Sequence, residues 1–135
     1  MRTEMQSEPQ TPISRLLARA EHSPNAIALI AGDERWSWCR LAAESERLAG
    51  AFRSRGIRRG DRIALHMFNL PELVVAYCAC FHTGAIAVPL NARYKADELR
   101  AMIARVQPVL YLGQAGLFEA IKATKANAKR KSHIP

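Results

Sequence analysis

The chain has 135 residues, 49% of them hydrophobic and 24% charged, with a net charge of +8. That length suits one domain with its own core, and the composition excludes an intrinsically disordered polypeptide. The charge admits nucleic acid or an anionic surface as partner, but a solvated basic face, or a piece of a larger protein whose acidic part lies elsewhere, is the preferred reading. Three cysteines, an odd number set in apolar runs, imply reduced thiols and a cytoplasmic setting. Residues 1–12 are polar and lack the apolar core of a secretory signal.

Residues 1–11 read as a mobile lead. Ile13, Leu16 and Leu17 share a face of a short helix over Ile13–Ala20, which Pro24-Asn25 interrupts. Ala26–Ile30 reads as a strand, Gly32-Asp33 as a turn, and Arg35–Trp38 as the returning strand of a hairpin. Trp36 and Trp38 alternate there and are expected to pack on a core face. Ser37 is a candidate N-cap for a helix carrying Leu41, Ser45, Leu48, Ala49 and Phe52 on one side. Gly56 stops that helix, with Ile57 folding back as the apolar contact after it.

Gly60–Leu90 is the stretch around which the rest is arranged. Ile63–Leu65 is a short apolar strand, and Asn69 to Glu72 look like a helix start, with Asn69 and Glu72 spaced as a capping box. Pro71 is tolerated in a first turn, although it biases Leu70 away from helical ψ. The helix runs through Phe81, is apolar nearly all round and should be buried on most sides. Thr83-Gly84 ends it, and Ala85–Val88 is a second strand closed by Pro89. Leu73–Leu90 is long enough to suggest a membrane span, but His82, Gly84 and Pro89 interrupt it. Strand, helix and strand within about thirty residues make a parallel βαβ unit instead.

Asn91–Tyr94 is a loop, Asp97–Val106 an amphipathic helix through Leu99, Met102, Ile103 and Val106, and Val109–Leu112 a third strand. The expected fold is therefore α/β, a small parallel βαβαβ sheet with flanking helices plus an N-terminal hairpin. Ala115–Ala123 is a weaker helix, and residues 122–135 form a basic tail.

Few residues suggest chemistry. The sequence lacks a P-loop, a G-x-G-x-x-G, a nucleophile elbow and an H-E-x-x-H. Cys78, Cys80 and His82 have the look of a metal cluster, but at about 100° per residue Cys80 points about 200° from Cys78, so core thiols are the better reading. His66 closes the first core strand, where open α/β sheets bind ligands, yet it has no evident acid or nucleophile beside it. Arg53, Arg55, Arg58, Arg59 and Arg62 span a helix end and a turn. They suit the negative end of a helix, and could also hold phosphates of nucleic acid or coenzyme A. No aromatic residues interleave them, so base stacking has no support.

Four pieces, in order over Pro24–Leu112, resemble the N-terminal part of the adenylate-forming enzymes, the acyl-CoA synthetases, aryl-CoA ligases and other AMP-dependent ligases. Trp36-Ser37-Trp38-Cys39-Arg40-Leu41 is similar to their Leu-Thr-Tyr-x-Glu-Leu motif. Ser54-Arg55-Gly56-Ile57 with Gly60-Asp61-Arg62-Ile63-Ala64 resembles GV-x-x-GDRVA. Asn69-Leu70-Pro71-Glu72-Leu73 resembles N-S-P-E-F, and Thr83–Asn91 resembles K-A-G-A-V-x-V-P-L-N. Arg40, Leu70 and His82 replace the usual Glu, Ser and Lys, which alters local stability.

The resemblance implies the first subdomain of the acyl-CoA synthetase-like fold over residues 12–121. It implies a reaction in which a carboxylate attacks the α-phosphate of ATP with Mg²⁺, and coenzyme A then takes the acyl group. It also implies that the phosphate loop with its lysine, the adenine motif, the ribose-binding aspartate and the catalytic lysine lie downstream of the matched region. No catalytic, cofactor-binding or metal-binding residue is therefore assigned, and the chain alone is expected to be inactive. Fatty acids are preferred over aryl acids as substrates of the whole enzyme. A standalone partner-binding domain is the alternative, and a basic nucleic-acid binder the more distant one.

Overall fold

A computed structural model describes residues 10–119. Helix α1 spans Pro12–His22, and the hairpin is β1 (Ile27–Ala31) with β2 (Glu34–Ser37). Helix α2 is Trp38–Ser54, β3 Arg62–His66, α3 Pro71–Thr83, β4 Ile86–Pro89, α4 Ala96–Val106 and β5 Leu110–Gly113. Residues 115–119 are again helical. The remainder of the expected last helix, the lead before residue 10 and the basic tail lie outside the described residues.

The local signals explain most boundaries. Thr11 caps α1 by accepting from the Ser14 N–H at 3.1 Å, while Ser14 Oγ accepts from the Thr11 N–H at 3.0 Å. Ser37 Oγ accepts from the Arg40 N–H and caps α2, as its position suggested. At the other end the Gly56 N–H reaches Arg53 O at 2.9 Å and the Ile57 N–H reaches Phe52 O at 3.0 Å. Gly56 has φ +79°, completing a Schellman motif.

Two expectations need correction. Trp38 does not continue the returning strand; β2 stops at Ser37, whose capping geometry turns the chain into α2 with Trp38 as its first residue. The Asn69–Glu72 capping box does not form. Pro71 holds Leu70 extended at φ −107°, ψ 158°, as its ring clash with the preceding residue requires. The helix therefore starts one residue later than the box needs, with Leu70 at its N-cap and no side-chain cap.

Strands β3, β4 and β5 form a parallel sheet in the order β4-β3-β5. The chain steps from β3 to one side through α3, then crosses back to the other side through α4. With right-handed crossovers these two helices must lie on opposite faces, and the core shows it. Ile63 and Leu65 of β3 point into a cluster with Ala49 and Phe52 of α2 and Ala76, Ala79 and Cys80 of α3. Ala64 points the other way, against Leu90 and Leu99, with Met102 and Ile103 of α4 packed around them. A third cluster joins α1, the hairpin, α2 and α3 through Leu16, Trp36, Leu41, Ala42 and Val75. The α3 helix is buried on most sides as its composition required, though Phe81 stays 47% exposed.

Candidate functional site at the carboxyl end of the sheet

In an open α/β sheet the crevice for a ligand forms where successive connections leave for opposite faces. Here that point lies between the carboxyl ends of β3 and β4. A cavity of about 350 Å³ occupies it, lined by Leu65, Met67, Tyr77 and Leu90 among others, with Asn91 and Arg93 at its side. Asn91 Oδ1 accepts from the Arg93 N–H at 2.9 Å and shapes the loop at this mouth. A second cavity of about 610 Å³ lies between α2, the start of α3 and the end of β5, and includes Trp36, Arg40, Glu44, Glu72 and Gln114. The Arg40 guanidinium sits 3.8 Å above the Trp36 ring, a cation–π contact that holds this α2 arginine against the end of β2. Arg47 pairs with Glu44 one turn away.

His66 does end β3 at this edge, but it is not free. It is 2% exposed, and its Nδ1 lies 2.6 Å from the Tyr111 hydroxyl on β5. Burial pushes the imidazole below its ordinary range; the Asn91 backbone opposes this but by less. Burial also pushes the Tyr111 phenol up to about 12. Both groups are therefore kept neutral, and the natural arrangement is O–H donating to a bare Nδ1. Nε2 is buried with no partner at hydrogen-bond geometry among the described residues. The pair joins β3 to β5 and presents no base toward the crevice cavity.

A glycine makes this pair possible. A Cβ on Gly113 would stand 2.5 Å from Tyr111 Cε1 and 2.6 Å from the hydroxyl, so the ring lies over the bare glycine backbone. Tyr111 and Gly113 escaped the sequence reading as functional neighbours of His66. The available signal was the lone glycine closing an apolar strand, which marks a close approach.

The other candidates are placed clearly. Cys80 is fully buried in the cluster between sheet and helices, and burial pushes its thiol up to about 11. Cys78 packs toward the α1–hairpin cluster instead, so the two thiols do not share a face. His82 Nε2 is buried without a partner among the described residues; burial, then the nearby Arg53 charge, lower its pKa, with Glu46 opposing. Trp36 and Trp38 both pack on the α1–hairpin cluster.

The arginines divide by task. Arg62 Nε donates to Val106 O at 2.7 Å and closes the carbonyl end of α4. An Arg53 Nη donates to His82 O at 3.3 Å, at the end of α3. The Arg59 stem lies against Gly84, where an added Cβ would meet Cγ at 3.0 Å. This is the helix-end role, at the amino end of the parallel strands, opposite the crevice at their carboxyl end.

These residues do not fit ATP with a divalent ion. Among the described residues no three side chains of the His, Cys, Asp or Glu type converge, and Arg53 and Arg62 are already engaged with carbonyls. Developing charge on a phosphoryl group needs fixed cations and backbone donors, which this arrangement does not provide. None of the described helices is long and apolar enough to cross a membrane.

The comparisons with known proteins agree on one family. A family model described as AMP-binding enzyme matches residues 16–134. A crotonobetaine/carnitine–CoA ligase from Salmonella paratyphi A is 34% identical over 100 residues, 73% of this chain and 19% of the ligase. A 2-succinylbenzoate–CoA ligase from Bacillus licheniformis is 34% identical over 104 residues, 77% of this chain and 22% of that protein. In three dimensions the fold matches coronafacic acid ligase from Pectobacterium brasiliense with a TM-score of 0.79 and 29% identity, over 85% of this chain and 23% of that one. It matches the inhibitor-bound N-terminal domain of FACL13 from Mycobacterium tuberculosis at 0.78 and 29%, over 87% of this chain and 30% of that one. The chain thus spans about a fifth of the length of the curated relatives it matches. The chain belongs to the AMP-binding enzyme family and carries the first subdomain of the acyl-CoA synthetase-like fold.

Proposed function

We propose that this chain is the leading subdomain of an ATP-dependent acid–CoA ligase. Such an enzyme activates a carboxylic acid as its acyl-adenylate and then transfers the acyl group to coenzyme A. The observation that carries this reading is the pair of CoA ligases that are 34% identical to it over about three quarters of its length. Residues 12–121 form the subdomain and residues 122–135 a basic extension. ATP, Mg²⁺ and coenzyme A bind to parts of the ligase beyond these residues. This chain supplies the strand ends and loops that brace the site, and it does not adenylate alone. We place the protein in the cytoplasm and take a fatty acid as the substrate.

The test is acid-dependent pyrophosphate release, measured on the protein isolated from cells that carry the gene and on the 135-residue chain alone. Release by the isolated assembly with medium- or long-chain fatty acids, and none by the chain, is the expected result. Release by the 135-residue chain would refute its dependence on further parts. Preference for aryl acids would refute the substrate. No release from either preparation would refute the ligase reading.

A further inference from the structure

We infer that the larger cavity, between α2, the start of α3 and the end of β5, is a ligand site of its own. It takes a small organic carboxylate with an apolar body, and Arg40 receives the carboxylate. The inference does not depend on the ligase reading, and the site is not the crevice, although Met67 lines both cavities.

The space suits such a ligand. At about 610 Å³ it falls within the range of about 300–1,000 Å³ that small-molecule sites occupy. Leu48, Leu70, Val75 and Leu112 give it apolar walls, so an apolar body gains by leaving water there. Sites of this kind add a few polar groups that orient the ligand.

Arg40 is held in place for an anion. Its guanidinium lies 3.8 Å above the Trp36 ring. That ring is 4% exposed, and its Nε1–H donates to Glu34 Oε2 at 3.1 Å, so the platform is fixed. Stacking occupies the face of the guanidinium and leaves its N–H edge, the part that grips a carboxylate through two parallel hydrogen bonds. The edge has no carboxylate partner among the described residues; Glu44, on the same wall, pairs with Arg47. Gln114 is engaged as well, its Oε1 accepting from the Phe68 N–H at 3.3 Å. Glu72 lies in the first turn of α3, where the positive end of the helix balances its charge.

Local stability argues against an arginine at position 40. The first turn of α2 has no acidic side chain, and a cation there opposes the helix dipole. The motif that residues 36–41 resemble has Glu at this place, which would complete a capping box with Ser37. A residue that breaks a local rule without gain to the fold marks a functional position. The gain here is a cation on the cavity wall.

The test follows tryptophan fluorescence in the full chain and in its Trp38→Phe variant, which isolates Trp36 on the cavity wall. Octanoate, octanol and octylamine are titrated in turn. A saturable response is expected, with octanoate bound about tenfold or more tightly than the other two, as hydrogen bonds to a charged group imply. Arg40→Gln should abolish that preference and leave the circular dichroism unchanged. Ala51→Phe, at an exposed position on the wall, should weaken all three without altering charge. No saturable response to octanoate, equal or tighter binding of octanol or octylamine, or a preference that survives Arg40→Gln would each overturn the site. In the protein isolated from cells that carry the gene, equilibrium dialysis should show one equivalent of bound octanoate lost on Arg40→Gln. Binding unchanged by that substitution would mean that other parts of the protein fill the cavity, and would overturn it as a ligand site.

Discussion

Replacing Gly113 by alanine tests how β3 and β5 are joined. An added Cβ would lie 2.5 Å from Tyr111 Cε1 and 2.7 Å from Cζ, about 1 Å inside the ordinary carbon–carbon separation of about 3.5 Å. The ring has to move, and its escape is limited, since Phe118 stacks on it at a centroid distance of 5.9 Å. A shift of that size breaks the 2.6 Å contact with His66, leaving a second nitrogen of a buried imidazole without a partner. That costs about 1–3 kcal/mol. Alanine in a strand regains about 0.5–1 kcal/mol over glycine. Gly113→Ala is therefore expected to destabilise by about 1–2 kcal/mol, or several degrees in the unfolding midpoint. The assay is urea unfolding followed by circular dichroism, run as a cycle with Tyr111→Leu. Without the ring the same Gly113→Ala change should become neutral or stabilising. A Gly113→Ala protein as stable as the parent while Tyr111 is present would refute the reasoning.

Three more outcomes are expected. His66 and His82 both have lowered pKa values in the fold, so the unfolded chain takes up protons first. Stability should fall as pH drops below about 6.5, and urea midpoints should lose that slope when both residues are replaced by leucine. Gly56→Ala puts a Cβ at φ +79° with no atom within 4 Å of it. Its cost is conformational, about 1–2 kcal/mol, and the same unfolding assay reads it. Cys39 is exposed while Cys80 is buried, so a thiol reagent should label Cys39 rapidly and Cys80 only on unfolding, which mass spectrometry of the labelled peptides resolves.

The legible parts of this molecule are those with a local cause. Ser37, Gly56 and Gly84 each fix a helix end through one residue's own geometry, and the apolar run at 73–81 had to be a buried helix. Three parallel strands and two crossovers were recognisable, but which strand lies in the middle was not, because a βαβαβ run fits β3 at the edge as well as at the centre. The Asn69–Glu72 box failed because two local rules competed and the ring of Pro71 won. The His66–Tyr111–Gly113 arrangement was out of reach for a different reason. His66 and Tyr111 are 45 residues apart, and only the register of β3 with β5 brings them together. The arginine cluster needed the same information, since its targets at Val106 and His82 belong to other helices. The resemblance supplied what neither periodicity nor spacing could, the family to which the chain belongs.

The arginines that close α3 and α4 gather at the amino end of the parallel strands, with Arg58 and Arg59 beside them in the turn before β3. Glu72, Asp97 and Glu98 occupy the first turns of the helices at the other end. Arg93 and Lys95 stand at that end too, so cations lie at both ends of the strands, and only those at the amino end are spent on helix carbonyls. On a cation exchanger or an anionic film this arginine group is one contact among several, with the basic residues after 121 another. Binding to such a surface reports the net charge of the chain and says nothing about what the crevice holds.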